Sequence, residues 1–405
     1  MRKILALGCA LFILSSAAAW AQDFGQEWMD RVTRQMEQEK APLRTVPLEV
    51  NLFAGERVYY DTNVYLEDED EEGDTVFVSF ANVRLNYAEE NFDATVDLLA
   101  NYNYYVEEED ARSDEERFYG RARYAGSRIQ IEVAEVLRRE SDPYVDPQVV
   151  KRTERFVTNT LPRIAVAVTD IITVEANGEL QYTKFAEEIF QGIDNFSYRA
   201  GVMGSYELPS GIQILLDAGL LGVNYVNDPT DASTPGVPDA LGYYARIGFR
   251  GEIQQRLYIS ALAGPSRATS ESVDELNIDS VRTNTADVSA NLRFEATEKL
   301  VLYADYTRRF GYGAWESYEI INRATAGVEF AATEKLKLAA RGQYDYIIGL
   351  NIPTREYGSV SALVNYTLFE NLVLDGSATY RQGELDGTLL DYVDGIFSLG
   401  AALVF

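Results

Sequence analysis

The sequence predicts an all-β protein: a transmembrane, antiparallel, up-and-down β-barrel of about 18 strands, with 16 as the alternative count. Three observations carry the prediction. Phe397, Leu399, Ala401, Leu403 and Phe405 occupy every second position of the last segment, giving it one apolar face. The same period of two recurs along most of the chain, in segments of about ten residues, the length that crosses a bilayer as a tilted strand. The connections between segments alternate between tight turns and longer polar stretches.

The first element is a leader. Arg2 and Lys3 precede an uncharged run that ends at Ala19, Trp20 and Ala21, the small-x-small pattern of a secretory signal peptide cleaved after Ala21. About 16 apolar-rich residues are too few for a spanning helix, which needs roughly 20. Cys9 lies inside this apolar core rather than after it, so lipidation there is not expected.

Residues 22–45 read as an amphipathic helical segment, because Phe24, Trp28, Val32 and Met36 fall four apart among polar residues and Pro42 and Pro47 stop the pattern. On the periplasmic side such a segment serves as a rim helix, a movable plug or a docking element.

The barrel occupies 46–405. Candidate strands begin near 47, 75, 92, 116, 128, 155, 171, 195, 212, 241, 256, 284, 300, 318, 336, 357, 372 and 391. The short connections include 88–91, 208–211, 296–299, 332–335 and 368–371. The long ones include 61–74, 141–151, 227–240 and 265–283. An even strand count sets both ends of the barrel on the short-turn, periplasmic side. Pro162 falls within the sixth strand and cannot donate to a ladder, which predicts a bulge or a late strand start.

One local repeat supports this register. Phe294 to Leu300, with Ala296, Thr297, Glu298 and Lys299 at its turn, returns 36 residues later as Phe330 to Leu336, and in drifted form around Phe369, Glu370 and Asn371. That distance is one hairpin with its loop. Alternation on the third strand puts Phe92, Ala94, Val96, Leu98, Ala100, Tyr102 and Tyr104 outward, and Asp93, Thr95, Asp97, Leu99, Asn101 and Asn103 inward. The twelfth strand repeats the arrangement, with Val288, Leu292 and Phe294 outward against Asp287, Asn291 and Arg293. Many tyrosines near strand ends, 27 against three tryptophans, suit aromatic girdles.

Composition excludes much chemistry. The chain has no histidine and its one cysteine is Cys9, so histidine-dependent triads, disulfides and thiolate or imidazole metal sites are out of reach; no catalytic residue, cofactor or metal is assigned. A net charge of −28, more negative still without the leader, argues against nucleic acid as a partner. Glu67 to Asp74 begins like a calcium loop at Asp68, Asp70 and Glu72, but its twelfth position is Ser79 rather than Glu; a solvated loop is expected.

The chemistry lies in the inward parity. The candidate lumen-lining cations are Arg84, Arg117, Arg121, Arg123, Arg199, Arg246, Arg293, Arg309, Arg323, Arg341 and Arg381. The candidate anions are Asp93, Asp97, Asp287, Asp305, Glu329 and Asp345. Reflecting the repeated turns about their centres sets Arg309 opposite Asp287, Arg323 opposite Asp345 and Lys337 opposite Glu329. Two uses are open: ion pairs that brace the wall, or unpaired arginines and tyrosines forming a track for an anionic or hydroxyl-rich solute.

Two stretches carry resemblances. Phe405 on an alternating strand resembles the signal that outer-membrane barrels present to their assembly machinery. Gly55 to Leu66, with Tyr60, Asp61, Asn63, Val64, Tyr65 and Leu66 at its heart, followed by an acidic loop and Asp74 to Val78, resembles a β-barrel porin family of Gram-negative outer membranes associated with exopolysaccharide export. The resemblance implies an outer-membrane channel serving exopolysaccharide export or polar solute passage. Lipid, the assembly machinery, polysaccharide and periplasmic export components are the implied partners. A general diffusion porin and a structural outer-membrane anchor with a closed lumen are the alternatives.

Overall fold

The computed structural model describes residues 48–404 except 65–72, 109–111, 141–153, 187–193, 227–236, 271–279, 312–317, 350–353, 370 and 386–391. The leader, the 22–45 segment, Phe405 and most of the acidic loop lie outside the described residues.

Eighteen strands follow one another: β1 Leu48–Asp61, β2 Asp74–Glu89, β3 Phe92–Tyr105, β4 Ser113–Ala125, β5 Ile129–Glu140, β6 Arg155–Ala167, β7 Ile172–Phe185, β8 Asn195–Glu207 and β9 Gln213–Tyr225. Next come β10 Ala240–Gln254, β11 Leu257–Ser270, β12 Arg282–Thr297, β13 Leu300–Gly311, β14 Glu319–Ala331, β15 Leu336–Ile348, β16 Arg355–Phe369, β17 Leu372–Leu385 and β18 Tyr392–Val404. Each start falls within three residues of the expected one. Every strand pairs antiparallel with its sequence neighbours, and β18 pairs back onto β1, closing the sheet. Closure satisfies the backbone without leaving an edge, as hydrocarbon requires of a spanning sheet.

The turns at the short end have a local cause. In the repeated Ala-Thr-Glu-Lys turn, the Thr333 hydroxyl accepts from the backbone of Lys335 at 3.2 Å and of Leu336 at 2.9 Å. Thr297 accepts from Lys299 at 3.2 Å in the same way. The threonine is the residue that folds the backbone back in these two copies, while the drifted third copy has Phe369 at that position. At 208–212, Gly211 takes a φ of +80°, and its N–H closes the turn onto the Leu208 carbonyl at 2.9 Å.

Outside, the barrel is apolar. Leu216, Ile247, Val360 and Leu399 are 61–68% exposed, with Tyr102, Tyr104, Tyr243, Tyr344 and Tyr380 also turned outward. A water-soluble sheet would not leave such side chains bare all round its circumference, whereas a membrane barrel presents them to lipid. Inside, three apolar clusters among the described residues interrupt a polar wall, the smallest being Val64, Val76, Val78 and Tyr105. A second gathers Phe53, Phe80, Leu363, Val373 and Ala402, and the largest gathers Leu221, Val223, Ala240, Tyr244, Ala268, Phe310, Tyr318 and Ile320.

Two expectations are corrected by the ladders. Pro162 causes neither a bulge nor a late start: β6 runs through it, and only the bonds to β7 lapse, between the Thr160–Leu180 and Arg163–Asn177 pairs, with the register unchanged. Gly178 makes room there, since a Cβ on it would sit 3.1 Å from the Pro162 ring. Likewise 265–283 is not one loop. Pro265 lies inside β11, paired with Ala286 of β12, while the ladder to β10 lapses between Tyr244–Ser266 and Ile247–Ala263. In each case a proline removes one donor, and the neighbouring strand on the other side holds the register.

Candidate functional site

The predicted charged residues lie on the face opposite the exposed apolar side chains, and most are tied to a neighbouring strand. Arg84 and Asp97 are register partners whose Nε–Oδ2 bond is 2.6 Å, with Asn82 donating to the same carboxylate. Arg323 and Asp345 meet as expected, at 2.9 Å. Arg381 meets Asp394 across the β17–β18 ladder at 3.2 Å. Arg121 bridges Asp93 at 3.5 Å and Glu132 at 3.0 Å. Asp305 accepts from Asn291, Arg293 reaches Glu295 at 3.4 Å, and Arg341 donates to Gln343 at 3.0 Å. Arg117 lies over the Tyr119 ring, and Arg123 sits opposite Asp93 in the ladder with its Nε buried.

One of the three pairs drawn from turn symmetry is corrected. Glu329 is the register partner of Ala339, and Lys337 that of Ala331, so those two charges are diagonal neighbours on the same face, within reach of long side chains. The corrected pair is Asp287 with Arg309. The β12–β13 ladder stops at Val288–Arg308, one pair short of Asp287 and Arg309. Asp287 instead accepts from Arg199 of β8 at 3.0 Å and from Arg246 of β10 at 2.9 Å.

Those bonds build a cluster that local patterns could not reveal. Arg246 also donates through Nε to Asp217, its register partner on β9, at 3.0 Å. The Tyr244 ring meets two guanidinium groups, with Arg199 4.0 Å and Arg246 5.1 Å from its centroid. Its place is opened by two glycines: a Cβ on Gly201 would lie 2.5 Å, and one on Gly219 2.7 Å, from the Tyr244 hydroxyl. Inward glycines on adjacent strands are the sequence signal that would have found this tyrosine. Strands β8 and β12 are four apart, about 19 Å of wall at the usual ~4.8 Å spacing, so the Arg199–Asp287 bond is a chord through the lumen.

Arg309 completes the cluster. Among the described residues no ion pair or hydrogen bond holds it, and the charges of Glu179, Arg199, Arg323 and Asp287 act on it. Arg355 of β16 and Glu319 of β14 form a further buried pair that skips a strand. Chemically the cluster offers planar donor forks and an aromatic face, suited to holding and passing a polar solute. It has no nucleophile paired with a base, and no group of three potential metal ligands occurs among the described residues.

No protein family and no curated protein matches this sequence. Among solved structures, the chain is similar to OccK2 (OpdF) of Pseudomonas aeruginosa, at 11% identity and TM-score 0.47, over 88% of this chain and 98% of that one. It is also similar to a BenF-like porin from Pseudomonas fluorescens Pf-5, at 9% identity and TM-score 0.47, over 88% and 99%. The outer membrane protein OpdK of Pseudomonas aeruginosa aligns at 8% identity and TM-score 0.46, over 88% and 99%. Likeness at this level carries no inference about cargo or partner.

Proposed function

We propose that this chain is a passive outer-membrane channel for small polar solutes, with Arg309 and the Arg199–Tyr244–Arg246 stack meeting an anionic group in transit. The observation that carries the reading is a closed barrel, apolar outside, whose interior holds a guanidinium without an ion pair among the described residues, beside a set of paired ones. Lipid faces the outer belt in this reading, and Phe405 engages the assembly machinery after the leader is cut behind Ala21. The polysaccharide cargo implied by the opening-strand resemblance fits less well, because the Arg199–Asp287 pair runs across the lumen rather than along its wall.

Planar-bilayer recording of the purified barrel tests the proposal. A steady conductance is expected, and under a potassium chloride gradient Arg309→Ala should shift the reversal potential toward lower chloride preference. A barrel that carries no current, or one whose ion preference is indifferent to Arg309, would overturn it. A closed lumen with no current would instead favour the structural anchor.

A further inference from the structure

The failure of β13 to pair with β12 near its end has a geometric counterpart in where Phe310 and Ile320 lie. Alternation along β13, with Leu302 and Tyr306 exposed outward, assigns Phe310 to the outer surface, and its register partner Ile320 shares that face. Yet both are buried in one cluster with Leu221, Val223, Ala240, Tyr244 and Ala268, which belong to the inner faces of β9, β10 and β11. The ends of β13 and β14 have therefore passed inside the wall. Their outer face now covers the inner face of the preceding strands.

Side chains hold the hairpin there. Arg308, in the last ladder pair, donates to the Thr285 hydroxyl at 3.2 and 3.0 Å and to the Asn322 side chain at 2.5 Å. The Tyr318 hydroxyl lies 3.1 Å from the Val281 carbonyl, 3.4 Å from that of Ala268 and 3.3 Å from the Thr283 hydroxyl. Phe310 and Tyr318 meet edge to face at 5.3 Å. Asp287, covered by the hairpin, is 1% exposed.

We infer that the paired ends of β13 and β14, residues 308–311 and 319–322, form a gate hinged at Val288–Arg308, folded into the lumen in this structure and able to rejoin the wall. In the second position the β12–β13 ladder extends through Asp287–Arg309 and Ala286–Phe310 in unbroken register. Phe310 and Ile320 then turn to the outside, Arg309 takes Asp287 from Arg199 and Arg246, and the chord across the lumen opens. Both arrangements pair Asp287 with guanidinium and bury Phe310 against protein or lipid, which keeps two states of one sequence close in free energy. The inference rests on the channel reading above.

The test is the double variant A286C/F310C, with Cys9, the only native cysteine, replaced as C9S. Facing residues of an antiparallel ladder fall within disulfide reach, whereas the folded-in hairpin leaves this pair unmatched. Reconstituted into lipid vesicles, the variant should cross-link slowly under oxidant, read by gel mobility, and the oxidised form should conduct more than the same protein reduced. Adding Y318F, which removes a hydroxyl that fastens the folded-in state, should speed cross-linking about fivefold, the worth of one net hydrogen bond. A barrel that conducts but never cross-links, or cross-links with conductance unchanged, sinks the gate alone. One that cross-links yet carries no current in either form removes the channel reading and the gate with it.

Discussion

Removing the Asp287 carboxylate should cost the barrel about 3 to 5 kcal/mol, the range for breaking a buried ion pair by deleting one partner. The side chain is 1% exposed and accepts two guanidinium bonds, from Arg199 at 3.0 Å and Arg246 at 2.9 Å, which are themselves 16% and 15% exposed. Each charge-assisted bond contributes about 1.5 to 3 kcal/mol. Part of the loss is recovered, because Arg246 retains Asp217 and Arg199 retains the Tyr244 face. Asp287→Ala is therefore expected near the lower end, about 3 kcal/mol, and Asp287→Asn, which keeps an acceptor of the same shape, at about half that. Reversible urea unfolding in lipid vesicles measures both. A loss under about 1 kcal/mol for the alanine variant would mean the cluster is solvated like a surface pair, and the account of a buried chord through the lumen would be wrong.

Three further outcomes follow. Ile247→Arg, on an outward position 62% exposed, should destabilise the folded barrel by about 2 to 4 kcal/mol in vesicles if it faces mid-bilayer; a change within about 0.5 kcal/mol, normal for a water-exposed site, would contradict the membrane assignment. Gly219→Ala should cost about 1 to 3 kcal/mol by overpacking, since the added Cβ would meet the Ala200 carbonyl as well as the Tyr244 ring at 2.8 Å; urea midpoints unchanged from the parent would refute the tight slot. Asp194, in the long connection before β8, has its carboxyl pushed up by burial, against the opposing backbone bond from Phe185 and the charge of Lys184. Its folded form favours the proton, so its contribution to stability is full below the ordinary carboxylate range and is lost as pH rises through the elevated folded value; Asp194→Asn should remove that component from a pH series of unfolding midpoints.

The strand positions were legible because their causes are local. Period-two alternation, threonine turns such as Thr297 and Thr333, and acidic connections each act within a few residues, and lipid outside a wet interior makes parity a binary choice that leaves little ambiguity. Pairing between adjacent strands was legible to the same extent: once a turn is placed, Arg323 must oppose Asp345. The misplacement of 265–283 came from reading Pro265 as a loop residue, when the partner strand β12 could hold it in register.

Amino-acid order was sufficient for an 18-stranded wall and for the alternation of its two faces, since both follow from repeating local geometry. It was silent on the partners of Asp287. Arg199 lies 88 positions away and Arg309 only one ladder step beyond the last pair, and the choice between them depends on how β13 and β14 bend relative to β12. That bend arises from the burial of Phe310, Tyr318 and Ile320 against strands β9 to β11, contacts between surfaces distant in sequence that no short-range pattern encodes.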